Sequence, residues 1–204
     1  SGTGAPRADL ERGLRSLAAE RAGLPPAGPA IAVLCYHDVS DEPGAGPSTV
    51  SPATLREHIR RAREAGWVFL SLSELLAREG RPADIPPRAM VLTFDDGYRS
   101  FSEKVLPILR EEGVKATLAI VDSFIDAPPA GPGPLMSWDE IRAADRSGLV
   151  EIASHSHALH RYETSNPYRD TAPSVTTRRY LLGQARYEDR DEYAARVRAD
   201  LAAA

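Results

Sequence analysis

The regular alternation of short apolar runs with amphipathic stretches does most to narrow the fold. Residues 31–36, 67–70, 90–94, 115–121 and 149–155 read as strands. The continuous apolar runs at 31–36 and 90–94 suit strands buried on both faces. Helix signals fill the gaps between them. Ser51 stands as an N-cap before Pro52, and Leu55, Ile59 and Ala62 then share one face until Gly66 ends the helix. A short helix over 73–79 is stopped by Gly80, and a longer one over 98–112 runs into Gly113. Ser137 and Glu140 form a capping box for a helix that ends near Gly148. Strands alternating with helices predict an α/β fold with a mainly parallel sheet.

The flanks read differently. Residues 8–22 repeat Leu10, Leu14 and Leu17 at helical spacing until Pro25-Pro26, which predicts an N-terminal helical segment (1–30) packed outside a main domain (31–204). From 161 to 190 periodicity is lost, and a loop this long is usually functional or mobile. Helix returns over 191–203, with Tyr193, Val197 and Leu201 stacked at four-residue steps. A formal net charge of −4 leaves no basic field for nucleic acid, so no nucleic-acid partner is expected. No apolar stretch approaches the ~20 residues of a membrane span, so no transmembrane segment is expected in this chain. The single cysteine, Cys35, rules out an internal disulfide and a CxxC cage, and its apolar surroundings suit a small buried hydrophobe.

Ligand-type side chains concentrate where three strands end. The segments are Tyr36-His37-Asp38, Asp95-Asp96-Gly97 and His155-Ser156-His157 with His160; four of the chain's five histidines fall there. In parallel α/β sheets the carboxyl ends of strands share one face, where sites are built. Adjacent carboxylates leaving a buried strand repel each other, and a divalent cation compensates. Neighbours on an extended chain point apart, so one acid is able to ligate while the other accepts a proton. The competing reading of the pair is a helix N-cap followed by an acid in the first turn. Two imidazoles and a carboxylate make the three-ligand set of an open catalytic metal site. Spacing alone does not choose between His157 and its neighbours.

These residues carry a family resemblance. Thr93-Phe94-Asp95-Asp96-Gly97 resembles the first motif of the polysaccharide deacetylase (NodB-homology, carbohydrate esterase family 4) group, and His155-Ser156 through His160 resembles the second. The gap from His155 to His160 is one position wider than usual for the family. With Leu34-Cys35-Tyr36-His37-Asp38-Val39 and the Arg/Tyr-rich stretch from Arg178, it is similar to the branch that deacetylates poly-β-1,6-N-acetyl-D-glucosamine, a biofilm exopolysaccharide. The resemblance spans about residues 31–201. It implies a distorted (β/α) barrel and metal-dependent hydrolysis of N-acetyl groups. Asp95 is then the general base, and Asp96, His155 and His160 hold one divalent ion (Zn, Ni, Co or Fe). His157 lies beside the site, and His37 lines the substrate pocket. The implied partner is an N-acetylglucosamine polysaccharide, and the implied location is the periplasm or cell surface.

One part of the family pattern is missing. The family's catalytic acid is a histidine beyond the second motif, yet no histidine follows His160. About five strands are counted where the family's barrel has roughly seven, and barrels of eight run to ~250 residues. The expectation is therefore a barrel incomplete at the C-terminus, with the acid and any further C-terminal domain beyond Ala204. Two other readings stand beside the leading one: a deacetylase of chitin-type or peptidoglycan glycans, and a non-catalytic, metal-containing glycan-binding module.

Overall fold

The computed structural model of the chain describes residues 29–42, 46–129 and 133–204. The helix expected over 8–22 lies outside them, as do residues 43–45 of the Gly/Pro-rich loop. Strand β1 (Ala30–Tyr36) runs beside β3 (Arg88–Asp95), and β4 (Ala116–Ile120) and β5 (Val150–Ser154) extend the sheet in the order β1-β3-β4-β5. The two-residue β2 (Val68–Phe69) pairs with Ala89 and Met90 of β3. Every pairing in this sheet is parallel, as the strand–helix alternation predicts. Among the described residues, β1 and β5 end the strand order and are not paired with each other.

Helices begin where the caps predict. Ser51 accepts the Thr54 N–H at 3.0 Å and opens α1 (Pro52–Glu64). Ser71 with Glu74 caps α2 (Leu72–Leu76), and Ser137 with Glu140 caps the later helix Trp138–Asp145. The helix expected from Tyr98 starts instead with a π-helical turn, Phe101–Val105, before α3 (Leu106–Glu112). Pro107 brings no N–H to the Glu103 carbonyl, so ordinary four-residue bonding is broken there. A one-turn helix, α4 (Asp122–Asp126), follows β4, and Trp138–Asp145 is α5.

Register decides which side chains share a face. Ala32, Leu34 and Tyr36 pair with Met90, Leu92 and Phe94, and this face packs with Leu55 and Ile59 of α1, Ile108 and Leu109 of α3, and Ile141 of α5. Phe94 is fully buried, stacked on Tyr36 at 5.2 Å and meeting Phe101 edge-on at 5.1 Å. Burial of such a side chain contributes about 1.5–3 kcal/mol, which anchors the strand immediately before Asp95. The opposite face of β1 departs from the expectation of two-sided burial: Ile31 is 48% and Val33 57% exposed, and Cys35 is also exposed. β1 lies at the end of the strand order, and the core helices pack against its other face.

The stretch 161–190 is not the featureless loop expected. It forms two antiparallel hairpins, β6 (Tyr162–Thr164) with β7 (Thr171–Pro173) and β8 (Tyr180–Leu181) with β9 (Arg186–Tyr187). Strands of two or three residues are too short to show an alternating pattern. Helix α6 (Arg190–Ala203) follows, capped by Asp189. Its expected apolar stripe is not a buried face: Leu201 is 62% exposed, and Asp200 is the one buried residue of the helix. Polar contacts dock it. Arg196 donates to both oxygens of buried Glu188, at 2.9 and 2.8 Å, and to the Ser174 and Thr177 carbonyls, each at 3.1 Å.

Candidate active site

Because the sheet is parallel, β3 and β5 deliver their ends to one edge. The His155 N–H donates to the Ile120 carbonyl at 2.8 Å, which carries the β5 alignment one residue past the strand. The chain turns sharply after both acids. Asp96 has φ +73° and Gly97 φ +79°, and a Cβ on Gly97 would meet Ile120 Cγ2 at 3.3 Å. Ser156, directly after His155, has φ +97°. A non-glycine residue in such a region costs on the order of 1–3 kcal/mol and persists where surrounding structure over-determines it.

These turns aim three donors at one point. Asp96 Oδ1 lies 3.4 Å from His160 Nε2 and 3.8 Å from His155 Nε2, and donor atoms of all three residues lie within 4.8 Å of one another. Around a tetrahedral ion with bonds of about 2.0–2.2 Å, ligand atoms stand about 3.3–3.6 Å apart. Asp96 is buried, and its Oδ1 has no hydrogen-bond partner. An orphaned buried oxygen costs about 1–3 kcal/mol, and a cation at this point removes that cost. The donor set therefore fits one divalent metal ion. The imidazoles of His155 and His160 are 4.9 Å apart, and Phe124 meets the His160 ring edge-on at 5.9 Å.

Asp95, the last residue of β3, is directed toward β1, whereas the positive φ of Asp96 turns that acid toward the histidines. Its Oδ2 accepts the Cys35 thiol at 3.2 Å and lies 4.0 Å from His155 Nε2. The thiol is thus polar-engaged, contrary to the expectation of an inert buried hydrophobe. Burial first, and then the bond to Asp95, push its pKa up. His37 joins Cys35 and Asp95, with donor atoms of the three within 4.8 Å of one another. Position 35 pairs with Thr93 across β1 and β3, so Cys35 and His37 fall on the side of the sheet that carries Asp95.

His157 is not part of the metal-type cluster. Its Nδ1 lies 2.9 Å from Asp122 Oδ2, a bond that raises the imidazole pKa. Its carbonyl accepts both the hydroxyl and the N–H of Ser123, and its own N–H donates to Asp200. His58 pairs with the Tyr36 hydroxyl at 2.9 Å and belongs to neither cluster. Sequence reading found neither Asp122 nor Asp200 at this loop. No local signal marks either residue, since each reaches the loop across more than thirty positions of chain.

The polysaccharide deacetylase family model matches residues 83–188, a span that holds Asp95, Asp96, His155 and His160. The chain belongs to the polysaccharide deacetylase family. This family member is 34% identical over 180 residues to the poly-β-1,6-N-acetyl-D-glucosamine N-deacetylase of Escherichia coli K12. That match covers 82% of this chain and 26% of the relative, so the chain spans about a quarter of that protein's length. Two solved structures have the same fold. A de-N-acetylase from Aggregatibacter actinomycetemcomitans matches at TM-score 0.74 and 32% identity, over 83% of this chain and 70% of that one. The BpsB deacetylase domain from Bordetella bronchiseptica matches at TM-score 0.68 and 33% identity, over 87% and 73%. Among the described residues, no helix of this deacetylase-family chain is long and apolar enough to cross a membrane.

Proposed function

We propose that this chain carries the metal site of a hydrolase that removes N-acetyl groups from poly-β-1,6-N-acetyl-D-glucosamine. One observation carries the reading: the buried, unpartnered Asp96 Oδ1 faces the Nε2 atoms of His155 and His160, with a second carboxylate, Asp95, alongside. Asp96, His155 and His160 would hold the divalent ion. Such an ion supplies Lewis acidity toward an amide carbonyl and lowers the pKa of water. An amide is a poor electrophile, and this chemistry is what it lacks in water alone.

Asp95 is the general base. It accepts a proton as water oxygen bonds to the acetyl carbon, and the carbon–nitrogen bond then breaks to leave acetate and a free amine. The Cys35 thiol orients the Asp95 carboxylate. His37 lines the pocket beside that base. Proton delivery to the departing amine needs a further group. His157 is committed to Asp122 and His58 to Tyr36, which leaves His37 as the histidine outside the ligand set that stands at Asp95. The relative's glycan supports the choice of substrate, and an exopolysaccharide substrate implies action in the periplasm or at the cell surface.

The test is acetate release from poly-β-1,6-N-acetylglucosamine after metal removal by chelator and re-addition of Zn²⁺, Co²⁺ or Ni²⁺, with chitin oligomers in parallel. Metal-restored release from the β-1,6 polymer supports the reading. Preferential release from chitin overturns the linkage, and metal binding without release from either overturns the activity in favour of a glycan-binding module.

A further inference from the structure

The segment between the two histidine ligands is gripped from two sides. On one side the Asp122 carboxylate holds the His157 ring, and Ser123 holds the His157 carbonyl. On the other, a single carboxylate from the distant helix α6 takes two consecutive backbone amides. The His157 N–H donates to Asp200 Oδ2 at 2.9 Å, and the Ala158 N–H donates to Asp200 Oδ1 at 2.7 Å. Asp200 is 8% exposed and is the one buried residue of its helix. Burying a carboxylate is costly unless it is bonded to donors. Here both oxygens are engaged, and bonds from an N–H to an ionised oxygen are about twice as strong as neutral ones.

The position of these amides matters more than their number. They follow Ser156, whose φ of +97° places it in a region that surrounding contacts must hold. They also lie between His155 and His160, so whatever holds them sets how the two imidazoles are spaced. We propose that Asp200 is a positioning residue for the metal site: by holding the His157 and Ala158 amides it pre-arranges His155 and His160 and so sets metal affinity. The proposal rests on the reading of Asp96, His155 and His160 as the metal ligands. Without the carboxylate the two amides turn to water, and the loop must be ordered anew each time an ion binds.

The control lies just ahead of the same helix. Glu188 secures α6 through Arg196 and makes no hydrogen bond to the 155–160 loop. Removing it loosens the helix without deleting the grip on the amides. The experiment titrates Zn²⁺ against a chelating indicator in the full 204-residue chain, for the parent, Asp200→Asn, Asp200→Ala and Glu188→Gln, alongside thermal unfolding of the metal-free proteins. The Co²⁺ absorption spectrum of each loaded protein reports ligand geometry.

Outer partners of ligands typically set 10–100-fold of metal affinity. Asp200→Asn, which keeps the shape, is expected to bind Zn²⁺ 10–100-fold more weakly and to shift the Co²⁺ band. Glu188→Gln is expected to unfold at lower temperature with Zn²⁺ affinity unchanged. Should Asp200→Ala not fold, the Asn variant decides. Parent-like Zn²⁺ affinity in Asp200→Asn overturns the proposal alone, as does an equal loss of affinity in Glu188→Gln. No Zn²⁺ binding in the parent overturns the metal reading and this proposal with it.

Discussion

Cys35 on β1 reaches Asp95, two residues beyond its ladder partner Thr93 on β3, with the thiol donating to Oδ2 at 3.2 Å. The thiol is exposed, yet partial burial and the adjacent carboxylate hold it protonated above the usual thiol range. The thiolate is the reactive form. Iodoacetamide should therefore modify Cys35 slowly at pH 7, with a rate that keeps rising beyond the pH at which a free cysteine levels off. The added group sits against the base, so modified protein should lose turnover and keep its metal. A rate profile matching free cysteine contradicts this.

The two adjacent acids should separate by assay. Asp96→Asn removes a ligand and should leave the chain without stoichiometric metal. Asp95→Asn should keep metal and lower turnover by about 10²–10⁴-fold, the usual range for a general base. Metal analysis paired with acetate release distinguishes them, and equal metal loss in both variants would mean that the roles are exchanged.

His157 offers a contrast with its neighbours. Its ring serves Asp122 at 2.9 Å, so His157→Ala should retain bound metal. It leaves Asp122 without that partner, at a cost of about 1–3 kcal/mol. His160→Ala should instead lose metal with little change in the stability of the metal-free chain. Metal content and urea unfolding of both variants check this pair of outcomes.

Acid should loosen α6 through Glu188. Bonds from Arg196, aided by the Arg179 backbone N–H and both guanidinium charges, lower its pKa to about 2. An unfolded glutamate titrates near 4.3. The depressed group contributes its stability fully above the unfolded value, and that contribution fades as pH falls from about 4.5 toward 2. The shift corresponds to about 3 kcal/mol at neutral pH. Thermal unfolding of the parent and Glu188→Gln should therefore differ most at pH 7 and converge near pH 2. A constant difference across that range would contradict the assignment.

The sheet was legible because its information is local. Apolar runs, Ser51-Pro52 and the Ser137–Glu140 box each act within a few residues, and the strands and caps form at those positions. The hairpins of 161–190 were not legible, because strands of two or three residues carry no period, and their neighbour α6 is fastened by Arg196 reaching Glu188 and Ser174. The exposed face of β1 was misread for a related reason: an apolar run states what a strand prefers, and its place at the end of the sheet decides what covers it.

By itself the sequence determined which side chains leave the strands together: Asp95 with Asp96, and His155 with His157 and His160. The tertiary structure alone decided their directions. Positive φ at Asp96 and Ser156 turns Asp96 toward two of the three histidines, while Asp122 draws His157 away. Only the fold brings Cys35 to Asp95, and Asp200 to the amides of His157 and Ala158. The physical reason is reach. Caps and periodicity act over one helical turn or a few strand residues, whereas these bonds join residues 42 to 60 positions apart, and only packing of the sheet and α6 brings such residues within 3 Å or so.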